Sequence, residues 1–290
     1  MQPAPALSTS SDQPTPSPRP PVHDIKLIAL DLDGTVLRRD RTISARVSEA
    51  TREAVAQGCY VTIATGRMPI SAREVAHSLN VNTYILCQHG GILANIDTFD
   101  VSRRITLERE VACEALTTAQ AHPRWHPVVF SLDSIVVTEQ RFPSANYSLG
   151  NINIVVSPDF CAALGTHAAD KILLMLDPSE SDQALRVMAE CVHGRAQVVQ
   201  SSSKLVEITS HEATKGTALA QLAMQLGIPR ECVMAIGDHD NDVSMLAWAG
   251  LGIAMGNASP AARAAADWLA PTIDEDGAAV AIETFVLGHR

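Results

Sequence analysis

Aromatic residues are scarce in this 290-residue chain, with three Trp, three Tyr and five Phe making 4% of the total. A core built on stacked rings is thereby excluded, and aliphatic and alanine side chains must fill the interior from the 46% apolar fraction. Positive charge is also in short supply. The net charge of −10 argues against a nucleic-acid or anionic-membrane surface, because those partners draw patches of Lys and Arg. No window offers the roughly 20 continuous apolar residues of a membrane span. The six cysteines (Cys59, Cys87, Cys113, Cys161, Cys191 and Cys232) lie far apart, with no C-x-x-C spacing. That scatter predicts reduced, buried thiols in a cytoplasmic protein. Residues 1–23, rich in Pro, Ser and Thr, lack the apolar stretch of a secretory signal and read as a disordered leader.

What is present is a rhythm. "IKLIALDLD" from Ile25 is a continuous apolar run, as expected of a strand covered on both faces. "ISARVSEATREAVAQG" has helical spacing at Val47, Ala50 and Ala54 and stops at Gly58; "CYVTIATG" is a second strand, and "MPISAREVAHSLN" a second helix with Pro69 near its start. "TYILCQHGG" is a third strand. After Gly91 the rhythm changes to helices alternating with hairpins, and from Lys215 the strict alternation returns. The prediction is an α/β protein: a Rossmann-like, doubly wound parallel-sheet core over residues 24–90 and 206–290, with an α+β cap domain inserted over 91–205.

Function in such a sheet gathers beyond the carboxyl ends of the strands. Four polar clusters fall at those ends: Asp31 and Asp33 in "DLDGT", Thr65 and Gly66 in "TIATGR", Lys215 in "HEATKG", and Asp238 in "GDHDND". Asp31 is placed as a carboxylate nucleophile of the kind that forms a phospho-aspartate. Asp33 lies two residues on and so is expected on the same side of the chain. It is the candidate general acid/base, with a pKa raised by the neighbouring negative charge. Gly34 permits a tight turn. Thr65 and Gly66 form an anion cradle at a helix mouth, and Lys215 offers a point charge to phosphoryl oxygens. Asp31, Asp33, Asp238 and Asp242 set four negative charges against that one lysine. The sum calls for a hard divalent cation, Mg²⁺.

Together, "DLDGT" (31–35), "TIATGR" (62–67), "EITSHEATKG" (207–216) and "GDHDND" (237–242) with "AMGNA" (254–258) resemble the haloacid dehalogenase (HAD) superfamily phosphatases, in particular the Cof-type branch with its large α/β cap. The resemblance implies a Mg²⁺-dependent phosphomonoester hydrolase working through a phospho-aspartate. By position it implies Asp31 as nucleophile and metal ligand, Asp33 as acid/base and main-chain metal ligand, and Asp238 and Asp242 at the metal. Thr65, Gly66, Lys215 and Asn241 would then bind phosphate. One departure is "HGG" at 89–91, where many relatives carry Asn-Gly-Ala.

The expected substrate is a small phosphorylated metabolite, such as a sugar phosphate, acted on by a cytoplasmic monomer or homodimer. The alternatives are a sugar-phosphate mutase or phosphotransferase and, lower, a phospho-accepting signalling module. Arg67 reads equally as a phosphate binder or a partner for a core carboxylate, and is left outside the site. His122 and His126 invite a zinc reading, but Pro123 and Pro127 forbid the helix that would align them. "GLGIAMG" (250–256) lacks the context of a dinucleotide fingerprint and reads as close packing. Residues 141–147, "RFPSANY", are candidate specificity contacts.

Overall fold

The computed structural model of the chain describes residues 24–132, 134–138, 152–165 and 168–288. The proposed leader and the 141–147 candidates lie outside the described residues. The alternation seen in the sequence becomes a five-stranded sheet ordered β14 (Trp268–Leu269), β13 (Leu251–Ala254), β12 (Val233–Gly237), β1 (Leu27–Leu30), β2 (Tyr60–Ile63). Every neighbouring pair in it runs parallel. Strand alternation sends the β1 side chains into two cores. Ile28 and Leu30 pack with α1 (Ala45–Ala56), α2 (Pro69–Ser78) and α9 (Gly277–Ile282). Leu27 and Ala29 pack with α6 (Lys215–Leu226), α7 (Val243–Trp248) and α8 (Pro260–Ala265). The core is therefore doubly wound, as its pattern predicts.

The departure from expectation comes just after the third strand. β3 (Tyr84–Cys87) touches the parallel sheet at the Ala64–Leu86 bridge, yet its ladder runs antiparallel to β4 (Ile92–Asn95), which pairs in turn with β5 (Val101–Arg104). Ile92 and Ala94 share the core of β1. The cause is the turn at 88–90: Gln88, His89 and Gly90 have φ of 49°, 57° and 98°, which folds the chain straight back. An apolar run reads the same for either direction of pairing, so periodicity could not show this.

The following segment forms a second sheet, ordered β10 (Gln197–Ser202), β11 (Leu205–Thr209), β9 (Lys171–Met175), β6 (His126–Ser131), β7 (Ser134–Val137), β8 (Asn153–Val156). Its pairs are antiparallel apart from β7 with β8. One face, with Val129, Ile172, Leu174, Val206 and Ile208, lies under α3 (Arg109–Gln120) and α5 (Ser181–Val192). The other face carries Val128, Phe130 and Leu173 and packs on Met68, just after the end of β2. Period-two alternation puts Lys171 and Glu207 on that second face with Leu173, which is the register partner of Glu207. Of the two histidines considered for zinc, His122 stacks on Trp125 with ring centroids 3.8 Å apart, while His126 opens β6. All six cysteines are free thiols, but only Cys59 and Cys87 are buried; the expectation of burial is corrected for Cys113, Cys161, Cys191 and Cys232, which are half-buried. Among the described residues, no helix is long and apolar enough to cross a membrane.

The glycines of 250–256 serve packing. A Cβ on Gly252 would lie 2.3 Å from the Leu246 carbonyl oxygen, so β13 lies against α7 at a distance no side chain permits. Gly252→Ala should cost about 2 kcal/mol through overpacking, read as a lower urea midpoint; an unchanged midpoint would show that α7 moves freely.

Candidate active site

Parallel strands end at one rim, and the polar residues following β1, β2 and β12 converge there. Asp31 continues β1, with its N–H donating to the Ile236 carbonyl at 2.9 Å, and its carboxylate is buried. Gly34 then turns the chain away with φ of +96°; a Cβ here would fall 2.3 Å from Asp238 Oδ2. Asp238 follows β12. The Thr35 hydroxyl donates to its Oδ1 at 2.9 Å, and the Asn257 amide donates to Oδ2 at 3.3 Å. In the next turn Asp242 Oδ2 accepts the N–H groups of Asp238 and His239, each at 2.9 Å, which leaves Oδ1 facing inward. Lys215 opens α6, whose cap is Thr214 accepting from Thr217 N–H. Its wholly buried ammonium donates to Asp31 Oδ1 at 2.6 Å and Asp242 Oδ1 at 2.5 Å.

One ligand oxygen from each of Asp31, Asp238 and Asp242 falls within 4.8 Å of the others. Burial and the charge of Asp242 push the Asp31 carboxyl well above its ordinary range, although Lys215 pulls it down. Burial likewise raises Asp238, against the Thr35 hydrogen bond that lowers it. Burial disfavours the Lys215 ammonium, but Asp242 and Asp31 hold its pKa raised. Three carboxylates therefore share one cation, and two negative charges remain. Hard oxygen donors at this spacing with that surplus fit a divalent ion.

Asp33 stands apart from this cluster. Its carboxylate is 62% exposed and is held by Arg67, with Nε to Oδ2 at 3.1 Å and an Nη to Oδ1 at 2.5 Å. The four-acid charge count is corrected to three acids around Lys215 plus a separate Asp33–Arg67 pair. Asp33 does face the same cleft as Asp31, as its spacing predicts, but β1 ends at Leu30 and Asp33 lies at the exposed edge, within reach of Arg67. Thr65 and Gly66 follow β2, where Thr65 N–H donates to the Leu86 carbonyl at 2.8 Å. Asp31, Asp33, Thr65, Gly66 and Asn241 line one cleft of about 1090 Å³. Asp242 and Lys215 are fully buried beside Asp31.

Arg67, left between two roles by the sequence, lines the cleft as a carboxylate partner, and three further cleft residues had no role in the sequence reading: His89, Lys171 and Glu207. Lys171 Nζ lies 3.0 Å from Glu207 and donates to the Gly66 carbonyl at 3.1 Å. His89 Nε2 lies 2.8 Å from Glu207 Oε2. Burial alone would raise the Glu207 carboxyl, but Lys171 and His89 hold it well below its usual value. A signal existed, since β9 ("KILLM") and β11 ("LVEIT") each place a single charge, Lys171 and Glu207, on an otherwise uncharged strand.

A family model for haloacid dehalogenase-like hydrolases matches residues 28–282. The chain is 31% identical over 265 residues to the 5-amino-6-(5-phospho-D-ribitylamino)uracil phosphatase YcsE of Bacillus subtilis, covering 91% of this chain and 97% of that one. It is 28% identical to the phosphatase YwpJ of the same organism over 88% of this chain and 98% of that one. The crystal structure of a haloacid dehalogenase-like hydrolase from Bacteroides thetaiotaomicron superposes with a TM-score of 0.79 at 30% identity, covering 90% and 99% of the two chains.

Lys215→Met removes the buried cation and leaves Asp31 and Asp242 facing each other. Without divalent metal it should cost about 3–5 kcal/mol, measured by urea unfolding, and adding Asp31→Asn should recover part of the loss. An unaltered midpoint would mean that these carboxyls are not charged in the folded protein.

Proposed function

The chain belongs to the haloacid dehalogenase-like hydrolase family, and on that premise we propose that it is a Mg²⁺-dependent phosphatase, releasing inorganic phosphate from a small phosphomonoester through a phospho-aspartate on Asp31. The observation that carries this reading is the buried Asp31 carboxylate, held by Lys215 where the cleft reaches Thr65, Gly66 and Asn241.

Asp31 attacks phosphorus, and the bond to the leaving oxygen breaks as that oxygen takes a proton from Asp33. Asp33 then removes a proton from water, which attacks the phospho-aspartate, returning Asp31 and freeing phosphate. Arg67 holds Asp33 at the cleft edge in the meantime. The Lys215 ammonium favours the anionic form of Asp31 against its burial and orients it, while Thr65, Gly66 and Asn241 bind phosphoryl oxygens. Mg²⁺ bound among Asp31, Asp238, Asp242 and the Asp33 main chain supplies the positive charge that draws a phosphate dianion to an acidic site.

The sheet β6–β11 with its helices is read as the inserted cap; the expected bounds of 91–205 are corrected at both ends, since β4 and β5 pack with the core and β11 (Leu205–Thr209) pairs in the cap sheet. The hairpin β4–β5 packs on the core side of that insertion. Phe130, Met175 and Leu185 give the cleft an apolar wall, and Lys171, Glu207 and Gln200 give it polar points. That mixture suits a phosphorylated sugar or polyol, including one that carries a larger flat group. Hexose phosphates and 5-amino-6-(5-phospho-D-ribitylamino)uracil, the compound in the relative's name, are accordingly the first substrates to assay.

Phosphate release from such a panel tests the reading; a protein that only moves phosphate within a substrate would be a mutase instead. Asp31→Asn should reduce turnover on the order of 10⁴-fold or more, and Asp33→Ala roughly 10² to 10⁴-fold. Wild-type rates in either variant would contradict its role. Chelation by EDTA should silence activity and Mg²⁺ restore it.

The pH dependence has a definite sign. Asp31 and Asp238 are raised in the fold, so without metal the proton-bound forms favour folding and these groups add stability as pH falls through their titration. Protons thus compete with the cation. The rise in thermal midpoint produced by Mg²⁺ should shrink steadily on acidification below neutral pH, and a shift independent of pH would exclude these carboxylates as ligands.

A further inference from the structure

The turn at 88–90 is costly: Gln88 and His89, neither a glycine, both sit in the left-handed region with φ of 49° and 57°. Such strain persists where surrounding structure holds it for a purpose. Its product is the placement of one imidazole. The His89 ring lies so close on Gly66 that a Cβ there would fall 2.5 Å from its Cε1. His89 Nε2 meets Glu207 Oε2 at 2.8 Å, and Nδ1 meets the Asn241 side-chain nitrogen at 3.2 Å. The Asn241 amide nitrogen can only donate, so Nδ1 accepts and the ring proton sits on Nε2, donated to Glu207. Glu207 is paired in turn with Lys171, which donates to the Gly66 carbonyl. Lys171 and Glu207 come from the second sheet, whereas Gly66, His89 and Asn241 belong to the parallel-sheet half. One continuous chain of polar contacts thus crosses the cleft and returns to the phosphate cradle at two points.

We propose that His89 is a positioning residue: through it the Lys171–Glu207 pair of the second sheet sets the amide of Asn241 and the loop at Gly66, so that tight phosphate binding requires that sheet to be seated on the site. The inference rests on the phosphatase reading for the identity of the anion. His89 has this role in addition to the groups that act on substrate. Its two nitrogens connect an acceptor on one side of the cleft to a donor on the other, and the one tautomer satisfies both.

The test uses the full chain with Mg²⁺ and inorganic phosphate as the probe, titrated by calorimetry into wild type, His89→Asn, Glu207→Gln and the double variant. Asn tolerates the left-handed backbone but is too short to bridge both partners. His89→Asn should weaken phosphate binding about tenfold, as expected for loss of a hydrogen bond to a charged group. Glu207→Gln should weaken it in the same direction, and the double variant should be no weaker than His89→Asn alone. For any substrate turned over, KM should rise while kcat stays within about threefold. Long-range ¹H–¹⁵N NMR of the wild type should show the His89 proton on Nε2, and Glu207→Gln should remove that preference. Unchanged phosphate affinity in His89→Asn, multiplicative losses in the double variant, or a proton on Nδ1 would each overturn the proposal. If His89→Asn does not fold, Glu207→Gln and the wild-type spectrum still decide it. Failure of the wild type to release phosphate from any phosphomonoester would sink the phosphatase reading instead, and leave the tautomer and the cycle to judge His89.

Discussion

A single ammonium group organises this site. Lys215, without exposed surface, lies between Asp31 and Asp242, and the fold brings these three side chains together from β1, from the start of α6 and from the turn after β12. A buried charge tolerates few geometries, because leaving any partner unmatched costs several kcal/mol. The parallel ladder meets that demand: Asp31 is fixed by the Ile236 carbonyl, and Asp242 is fixed by the backbone of its own turn. The same arrangement keeps a surplus of negative charge, which is a defect for stability and an advantage for a phosphoryl-transfer site that recruits a cation.

The second sheet follows a different logic. Its strands bury one face against α3 and α5, and turn the other toward the cleft, so each strand contributes alternate residues to two environments. Lys171 and Glu207 sit on the cleft face, and each neutralises the burial of the other. Being bound to Gly66 and His89 as well, the pair ties the sheet to the rim of the core. Phe130, Met175 and Leu205 line the cleft beside them, so the pair lies against an apolar wall where charge interactions are strong.

Much of this was legible before any coordinates. Continuous apolar runs at Leu27, Val61 and Val233 marked doubly covered strands, and helical spacing from Val47 to Ala54 marked α1. Asp31, Thr65, Gly66, Lys215 and Asp238 could be assigned to one rim because parallel strands all end on the same side. The antiparallel return of β4 upon β3 was not legible, since pairing direction leaves no trace in an apolar run. Asp33 was placed on the side of Asp31, and both line the cleft, but its exposure and its own counter-charge, Arg67, were not legible. Arg67 was ambiguous because an arginine at a helix mouth has reach enough for several partners, and its choice of Asp33 is made only where the segments after β1 and β2 meet at the cleft.

By itself the sequence determined the periodicities, the strand-end acids, the lysine and the glycines, because these are properties of neighbouring residues and of spacing along the chain. It determined that the acidic residues needed a counter-charge. Which of them shared Lys215, which took Arg67, and how Lys171, Glu207, His89 and Asn241 joined into one chain of contacts were decided in three dimensions. Those pairings span up to 184 positions, and side chains that far apart meet only after packing has fixed the backbones that carry them.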